Sequence, residues 1–343
     1  MKVKLYFGKE EAIKKSGIGR ALIHQKKALS FHQIPYTTNK QSLDYDILHI
    51  NTVWPDSLKV IRHARKNNKK VIYHAHTTEA DFKNSFMFSN LVAPLFRKWL
   101  IHLYSKADYI ITPTPYSKKV LEGYGIHLPI SAISNGIDLD LFQTTPEQID
   151  VFCKAFNIHE QDQLVISVGW LFERKGFDTF VEVAKKLTTY QFIWFGDVKL
   201  SYPTRKIRKI LKQLPQNVKL AGYVSGELLR GAYGRSTAFF FPSREETEGI
   251  VVLEALSCKA QVVVRDIPVF EDWLKAGDHC YKGANVDDFV HLLTALATKA
   301  ASPTIQEGYQ VAKERGLFKI GLQLQEIYEK VLTGQLEERQ EES

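Results

Sequence analysis

The chain has 343 residues, 44% of them hydrophobic and 24% charged, which is the composition of an ordinary globular protein and a length that suits two domains better than one. No apolar run approaches the ~18–20 residues needed to cross a bilayer and no leader follows Met1, so the sequence predicts a protein made and kept in the cytosol. The cysteines, Cys153, Cys258 and Cys280, are too few and too scattered for a disulfide framework and lack paired metal-ligand spacing.

The net charge of +8 is unevenly distributed along the chain. Residues 1–145 carry 21 Lys and Arg against 11 Asp and Glu, whereas the remaining residues carry 25 against 27. This asymmetry predicts that the N-terminal half faces an anionic surface, either a membrane or nucleic acid. The alternative is a well-solvated basic surface.

The first half of the chain alternates short apolar segments with helical stretches. Lys2–Phe7 alternates apolar and polar residues as a strand does, and Gly17–Ser30 then has the pattern of a helix. Further strands are predicted at Ile47–Ile50, Val71–Tyr73, Tyr109–Ile111 and Ser131–Ile133. Strands that alternate with helices in this way predict a parallel sheet covered by helices.

A second series of the same kind follows a polar stretch in which we place the interdomain linker near Thr144–Glu147. Its strands are predicted at Leu164–Val168, Phe192–Phe195, Val218–Leu220, Ala238–Phe241 and Val262–Val264. A last helical region covers about residues 304–332, and the charged segment 337–343 is predicted to be disordered. The predicted domains are therefore residues 1–145 and 146–315, followed by a segment, 316–343, whose helix packs back toward the first domain.

A glycine begins one helix in the second half of the chain. The segment GIVVLEAL, Gly249–Leu256, follows a buried strand and the loop PSREETE, and the unpaired N–H groups and dipole of such a helix start favour phosphate binding. Glu246 lies in the loop and Glu254 lies eight residues later inside the helix, so the two carboxylates can accept hydrogen bonds from the hydroxyls of two sugars. The alternative is a solvated acidic loop and an exposed helix glutamate.

Four segments carry a resemblance to a known family: PSREETEGIVVLEA at 242–255, SNGID at 134–138, SVGWLFERKG at 167–176 and LAGYVS at 220–225. The sequence resembles the retaining GT-B glycosyltransferases of the family-4 type, whose hallmark is two glutamates with seven residues between them. The resemblance implies an α/β protein of the GT-B fold, with two Rossmann-like domains whose parallel sheets face a central cleft. It also implies transfer of a hexose from a sugar nucleotide without a metal cofactor.

The resemblance assigns catalytic roles to four residues. Lys175 would neutralise the donor diphosphate, Glu246 would orient the transferred hexose, and His76 matches the family's cleft histidine. The family usually has arginine at the position of Trp170, so Arg174 is expected to take that role. The acceptor hydroxyl would attack on the same face that the leaving phosphate departs from, and that phosphate would take the proton.

The other donor contacts implied by the resemblance surround the helix start. The residues expected to bind the donor are Gly169, Val224, Thr247, Gly249, Ile250, Val251 and Glu254. Val224 lies where the family reads the base, which favours UDP as the carrier. Thr247 and Glu248 stand where many relatives have glycine and phenylalanine, so glucose and galactose both remain open as the transferred hexose.

The acceptor side is expected to be built from the first half of the chain. A glycine loop that can approach a phosphate or sugar is expected at Ser16, Gly17 and Gly19, although a simple tight turn gives the same pattern. His74 and His76 follow a predicted strand at the carboxyl edge of the sheet. His49 and Asn51, which end an earlier strand, are secondary candidates.

Basic and aromatic side chains are concentrated in part of this first half. Residues 59–70 carry six Lys and Arg and no acid, and residues 82–104 interleave apolar and cationic side chains. This composition suits a helix lying in an anionic headgroup layer, whereas the alternative is a core helix of the first domain. The residues expected at the membrane are Lys59, Arg62, Arg65, Lys66, Phe86, Phe88, Phe96, Arg97, Lys98 and Trp99.

Together with KSGIGRALIHQ near the start, these features resemble the bacterial glycolipid glycosyltransferases that extend monoglucosyl-diacylglycerol. That resemblance implies a UDP-hexose donor, a glycolipid acceptor and a product that anchors lipoteichoic acid, made at the inner face of the cell membrane. A first-step diacylglycerol glucosyltransferase, a capsule or cell-wall glycosyltransferase and a UDP-sugar epimerase remain alternatives. Nucleic acid is not favoured as a partner, because no zinc spacing, RNP-like motif or recognition-helix pattern is present.

Overall fold

The computed structural model describes residues 1–13, 16–196 and 204–335, which divide into two compact units. The first unit comprises Met1–Glu79, Val92–Asp138 and the chain from Arg315 onward, and the second comprises Ala80–Leu91 and Leu139–Glu314. Each unit contains one parallel sheet, with six strands in the described chain. The predicted α/β class with two Rossmann-like units is thereby confirmed.

The first unit is built on a sheet with the strand order β2-β1-β3-β4-β5-β6. Its strands are β1 (Val3–Tyr6), β2 (Tyr36–Thr37), β3 (Ile47–Ile50), β4 (Lys70–His74), β5 (Tyr109–Thr112) and β6 (Ile130–Ala132). Its helices are α1 (Glu10–Ile13), α2 (Gly17–Phe31), α3 (Asp56–Lys66), α6 (Pro115–Glu122) and α14 (Leu317–Thr333). Two helices, α4 (Glu79–Phe82) and α5 (Ser89–Tyr104), run across the division between the units.

Both faces of this first sheet are covered, which is why its strands are nearly continuous apolar runs in the sequence. Along β1 the side chains of Val3 and Leu5 enter one apolar core, and that of Tyr6 enters a second core on the opposite face. Helices α2 and α14 contribute to the first core. They pack closely because α14 has Gly321, where a Cβ atom would lie 2.4 Å from the carbonyl oxygen of Ala28 in α2.

The second unit is built on a sheet with the strand order β12-β11-β10-β7-β8-β9. Its strands are β7 (Leu164–Val168), β8 (Gln191–Phe195), β9 (Val218–Gly222), β10 (Ala238–Phe241), β11 (Val262–Arg265) and β12 (Tyr281–Gly283). Its helices are α7 (Pro146–Phe156), α8 (Phe177–Lys186), α9 (Arg205–Leu211), α10 (Gly226–Arg235), α11 (Ile250–Ser257), α12 (Val286–Ala297) and α13 (Ile305–Glu314), with a short 3-10 helix at Pro268–Phe270.

Two regions differ from the sequence-based expectation. The polar stretch expected to contain the linker holds helix α7, which is stabilised at its start by a reciprocal capping box between Thr145 and Gln148. The single helical region expected near the end is two helices, α13 and α14, separated where Gly316 pairs with Ile137. The disorder predicted for 337–343 concerns residues outside those that the structure describes.

The strand orders determine which loops become neighbours. In the second unit β7 lies beside β10, so the loops that follow these two strands meet at the carboxyl edge of the sheet. In the first unit β3 lies between β1 and β4, so the residues that follow β3 and β4 are adjacent at the same edge. Ligands of parallel α/β sheets bind at this edge, where the strand order reverses.

Candidate active site

A buried ion pair joins the two loops that meet in the second unit. Lys175 follows β7 and Glu246 follows β10, and Lys175 Nζ lies 2.5 Å from Glu246 Oε1. The same carboxylate oxygen accepts a hydrogen bond of 2.6 Å from Ser243 Oγ. The Lys175 and Glu246 side chains are only 14% and 7% exposed. Two motifs that are 71 residues apart in the sequence therefore form one cluster.

Arg174 lies beside this pair, with Nη1 3.6 Å from Glu246 Oε1. Its guanidinium also contacts a segment that precedes α5. Nη1 lies 2.9 Å from Asp81 Oδ1, and Nε donates a hydrogen bond of 3.2 Å to Ser85 Oγ. Sequence reasoning missed both Asp81 and Ser85, which belong to the second unit although the chain around them belongs to the first.

Burial and charge oppose each other in this cluster. Burial favours the neutral form of Glu246, but the positive charges of Lys175 and Arg174 outweigh it and lower the pKa of that carboxyl. Burial lowers the pKa of the Lys175 ammonium, although Glu246 opposes the shift. Burial likewise raises the pKa of Asp81 against the opposing charge of Arg174. Two cations are thus held in a poorly hydrated place, where they attract an anion more strongly than they would in water.

Gly176 allows the two loops to approach each other. It has φ of +75°, and a Cβ atom there would lie 2.2 Å from the carbonyl oxygen of Pro242. Both the conformation and the space therefore require glycine directly after Lys175. At the other end of the same loop, the Gly169 carbonyl accepts a hydrogen bond of 2.7 Å from Trp194 Nε1.

Helix α11 begins shortly after the second of these loops. Gly249 precedes its first turn with φ of +89°, a left-handed conformation that glycine adopts without strain. Ile250 and Val251 form the first turn, where backbone N–H groups lack acceptors within the helix. Inside the helix, Glu254 is 3% exposed and accepts a hydrogen bond of 3.2 Å from Tyr233 Oη. The alternative of solvated, exposed glutamates is therefore wrong.

The remaining residues expected to bind the donor are less closely grouped. Thr247 is half-buried and Glu248 is buried, directly after Glu246. Val224 follows β9, which is separated from β7 by β8, so it lies apart from the ion pair. Its contact with a base stays a prediction.

In the first unit, the histidines lie where β3 and β4 end. The ring of His74 stacks against His49 at 5.4 Å and against His76 at 4.0 Å between ring centroids. Burial lowers the pKa of His49 and His76 to about 3 and that of His74 well below its ordinary value. His76 Nε2 lies 2.9 Å from Asn51 Oδ1. We call His49, His74 and His76 the histidine stack.

The predicted glycine loop of the first unit is a capped helix start. Ser16 precedes α2 and its Oγ accepts a hydrogen bond of 3.3 Å from the Gly19 amide. The same hydroxyl donates a hydrogen bond of 2.6 Å to the Ile13 carbonyl. A Cβ atom at Gly17 would meet no neighbour within 4 Å, so packing does not explain glycine there. Binding of a phosphate or sugar by this loop stays a prediction.

The aromatic residues predicted at a membrane fall on two faces. Phe96 and Trp99 pack against a core of the first unit, and Trp99 Nε1 donates a hydrogen bond of 2.8 Å to a backbone carbonyl. The most exposed apolar side chains of this segment are Phe88, Leu91 and Leu95, at 69%, 78% and 67%. Phe96 and Trp99 are half-buried on the face of α5 that packs on this core, so the alternative of a core helix holds for that face and contact of these two residues with a membrane stays a prediction.

The predicted cations are partly committed to protein contacts. Arg65 Nη1 lies 2.7 Å from Asp108 Oδ1, and the Arg97 guanidinium lies 4.6 Å from the centre of the Tyr124 ring. Phe86 is half-buried in an edge contact with another ring. The exposed basic residues of the predicted surface are Lys59, Arg62, Arg65, Lys66 and Lys98.

Two family models cover most of the chain. Glycosyltransferase Family 4 matches residues 21–141, and Glycosyl transferases group 1 matches residues 149–307. The chain is 43% identical over 333 residues to the processive diacylglycerol alpha-glucosyltransferase of Acholeplasma laidlawii, which covers 97% of this chain and 99% of that protein. The chain belongs to the family-4 glycosyltransferases. The resemblance predicted from its motifs is confirmed.

Other relatives of this glycosyltransferase agree with the assignment. It is 24% identical to the alpha-galactosylglucosyldiacylglycerol synthase of Streptococcus pneumoniae, over 75% of this chain and 69% of that protein. Among solved structures, HepE of Anabaena in complex with UDP and glucose superposes with a TM-score of 0.78 at 18% identity, covering 96% of this chain and 100% of that one. The predicted GT-B fold is confirmed.

The described residues contain neither a cluster of metal-ligating side chains nor a membrane-spanning helix. No three His, Cys, Asp or Glu side chains of the described residues converge closely enough to hold a metal ion. No helix in the described part of the enzyme is both long and apolar enough to cross a membrane.

Proposed function

We propose that this glycosyltransferase moves a hexose from a UDP-sugar to a membrane glycolipid, with UDP-glucose as donor and monoglucosyl-diacylglycerol as acceptor. The product is a diglycosyl-diacylglycerol of the kind that anchors lipoteichoic acid. The observation that carries this proposal is the buried cluster of Lys175, Arg174 and Glu246 beside the start of α11. The diacylglycerol glucosyltransferase at 43% identity supports glucose as the sugar and a diacylglycerol lipid as the class of acceptor.

The two cations act on the leaving group. As the glycosidic bond breaks, the diphosphate gains negative charge, and a cation already fixed at that place stabilises the transition state by about 3–4 kcal/mol. Without donor, Lys175 is held in place by Glu246 at 2.5 Å, so it needs little rearrangement to share its charge with the diphosphate. The related fold of HepE, solved in complex with UDP and glucose, supports UDP as the carrier.

Glu246 orients the transferred hexose in this proposal. One of its oxygens is occupied by Lys175 Nζ and Ser243 Oγ, which suits binding of a sugar hydroxyl better than nucleophilic attack. UDP-glucose is α-linked and the relative's name specifies an alpha product, which supports retention of configuration in this proposal. The acceptor hydroxyl attacks on the face that the diphosphate leaves, and the departing phosphate takes the proton.

Transfer to lipid is tested by incubating the enzyme with labelled UDP-glucose or UDP-galactose and vesicles that contain diacylglycerol or monoglucosyl-diacylglycerol. We expect glucosyl transfer to monoglucosyl-diacylglycerol. Product from diacylglycerol alone indicates the first-step enzyme, and interconversion of the UDP-sugars without acceptor indicates an epimerase. Lys185→Ala, which removes an exposed lysine of α8, is the control for Lys175→Ala.

We also propose that the enzyme binds peripherally to the anionic inner face of the cell membrane. Phe88 and Leu91, in the second unit, expose apolar side chains next to Met87. The Nη2 atom of Arg208 lies 3.5 Å from Met87 Sδ. Helix α9, whose sequence is RKIRKIL, therefore lies next to these apolar residues. Exposed apolar side chains beside cations suit an anionic headgroup layer. The C-terminal half has almost no net charge, which is why the sequence did not predict a contribution from α9.

Flotation with vesicles of anionic and of zwitterionic lipid tests this surface. Leu91→Ser removes a side chain whose burial in lipid stabilises binding by roughly 1.5–3 kcal/mol, so we expect about tenfold weaker binding or more. Leu322→Ser, at another exposed leucine, is the matched control. The membrane proposal fails if the unaltered enzyme does not float with anionic vesicles at low salt.

A further inference from the structure

A chain of hydrogen bonds connects the histidine stack to the C-terminal helix within the first unit. On α14, Tyr328 Oη lies 2.7 Å from His49 Nδ1. The Gln25 Nε2 atom of α2 lies 3.2 Å from Nδ1 and 3.1 Å from Nε2 of the same ring. Asn51 Nδ2 donates a hydrogen bond of 3.0 Å to Gln25 Oε1, and His76 Nε2 lies 2.9 Å from Asn51 Oδ1. We call these five residues the histidine network.

All members of the histidine network are buried, with between 0% and 7% of each residue exposed. A buried polar group without a partner costs about 1–3 kcal/mol, so each member depends on the next. His74, which lies between the other two imidazoles, has no hydrogen-bond partner for either ring nitrogen among the described residues. His74 thus contacts the network through stacking of its ring on His49 and His76.

The donor and acceptor directions in the network fix the state of His76. Because Asn51 Nδ2 donates to Gln25, the carbonyl oxygen of the Asn51 amide faces His76. That oxygen can only accept, so His76 Nε2 carries the hydrogen. Burial lowers the pKa of His76 to about 3, which keeps the ring uncharged at neutral pH. The ionisable groups nearby are His74, which stacks on His76, and His49 and Tyr328 farther along the network. Burial lowers the pKa of both rings and raises that of the Tyr328 phenol, so none of these groups carries charge at neutral pH.

We infer that Asn51 and Gln25 are positioning residues that hold His76 as the uncharged Nε2–H tautomer, with Tyr328 and His49 supporting them from α14. The inference rests on the proposed function and on the resemblance, which makes His76 the family's cleft histidine in contact with the transferred hexose. An uncharged ring of one tautomer offers the sugar a fixed hydrogen-bonding pattern. An uncharged ring is also a poor acid, so it does not compete with the acceptor hydroxyl to give a proton to the leaving phosphate.

The state of His76 is measured directly by nitrogen-15 NMR on the donor-free enzyme, with His76→Gln used to assign its signals among the histidines. We expect an Nε2–H, uncharged imidazole at neutral pH. An Nδ1–H tautomer or an imidazolium would overturn the inference. This measurement needs no turnover, so it stays informative if the enzyme transfers nothing to lipid, an outcome that would contradict the proposed function alone.

The pH profile of Asn51→Asp tests the consequence for catalysis. A carboxylate beside His76 Nε2 favours the imidazolium and raises the pKa of His76. We expect kcat of this variant to fall by roughly 10- to 100-fold as the pH drops through the raised pKa, with little change in KM for the donor. The unaltered enzyme should show no such loss above about pH 5.

Asn39→Asp is the matched control, because it adds the same charge at an exposed asparagine of the first unit, outside the histidine network, where Oδ1 already accepts a hydrogen bond from the Gln41 amide. It should keep the pH profile of the unaltered enzyme, whereas Gln25→Leu should lower kcat at every pH. If the profile of Asn51→Asp coincides with that of the unaltered enzyme, Asn51 does not position His76. Should Asn51→Asp fail to fold, the NMR measurement and Gln25→Leu still decide.

Discussion

Replacing Lys175 by methionine separates its structural role from its catalytic one. Lys175 and Glu246 form a buried pair at 2.5 Å, and loss of one partner of such a pair costs about 3–5 kcal/mol because the other charge is left uncompensated. Arg174, at 3.6 Å, and Ser243, at 2.6 Å, still stabilise the Glu246 carboxylate. We therefore expect the low end, about 3 kcal/mol, in the free energy of unfolding of the second unit.

The double variant Lys175→Met/Glu246→Gln removes both charges and isolates the second role. With Glu246 made neutral and Arg174 still paired with Asp81 at 2.9 Å, most of the lost stability should return, to within about 1 kcal/mol of the unaltered enzyme. Turnover should not return, because a cation beside the leaving group contributes about 3–4 kcal/mol, or 10²- to 10³-fold in rate. Chemical denaturation of the donor-free enzyme and single-turnover transfer from UDP-glucose measure the two quantities separately.

Two results would refute this reasoning. If Lys175→Met unfolds at the same denaturant concentration as the unaltered enzyme, the pair with Glu246 does not stabilise the second unit. If the double variant transfers hexose at a near-normal rate, the Lys175 charge does not act on the leaving group.

Three further predictions concern stability. Gly176→Ala places a methyl group 2.2 Å from the Pro242 carbonyl oxygen and should lower the stability of the second unit by more than about 3 kcal/mol. Gly125→Ala, at a glycine with similar φ but open space, is the control and should lower stability by only about 1–2 kcal/mol. Thermal denaturation measures both. Gly321→Ala drives a methyl group to 2.4 Å from the Ala28 carbonyl, so limited proteolysis should release α14 earlier; equal cleavage rates would contradict this packing. The histidine stack has folded-state pKa values below the unfolded value of about 6.5, so stability should be lost as the pH falls below that value. The expected loss at about pH 5 is about 2 kcal/mol for each of His49 and His76, and a flat urea midpoint over this range would count against burial.

The donor motifs were predictable because their signals are local. A glycine before a helix, a lysine before a glycine and a strand before each loop are all encoded within a few residues. The segment Ile47–Ile50 was predicted with the bounds that the structure gives, because a strand buried on both faces is a continuous apolar run. The adjacency of Lys175 and Glu246 then depends on the strand order, which places β7 beside β10.

The partners of these residues could not be predicted in the same way. Tyr328 and His49 are 279 positions apart, and Ser85 reaches Arg174 across 89 positions. Neither tyrosine nor serine at those places stands out from its neighbours in the sequence. The segment that holds Ser85 also belongs to a different compact unit from the chain on either side of it, which no local pattern indicates.

Local properties of the chain specify the succession of strands and helices, the family and the charged residues that follow β7 and β10, because hydrophobic periodicity and short motifs each span only a few residues. Three-dimensional packing alone settles which face of α5 is covered and which groups hold Arg174 and His76. Burial depends on what packs against a side chain, and hydrogen-bond partners depend on distances between segments that are remote in the chain. Phe96 and Trp99 show the difference: their apolar character could be predicted, but only the tertiary structure shows that they pack against the core.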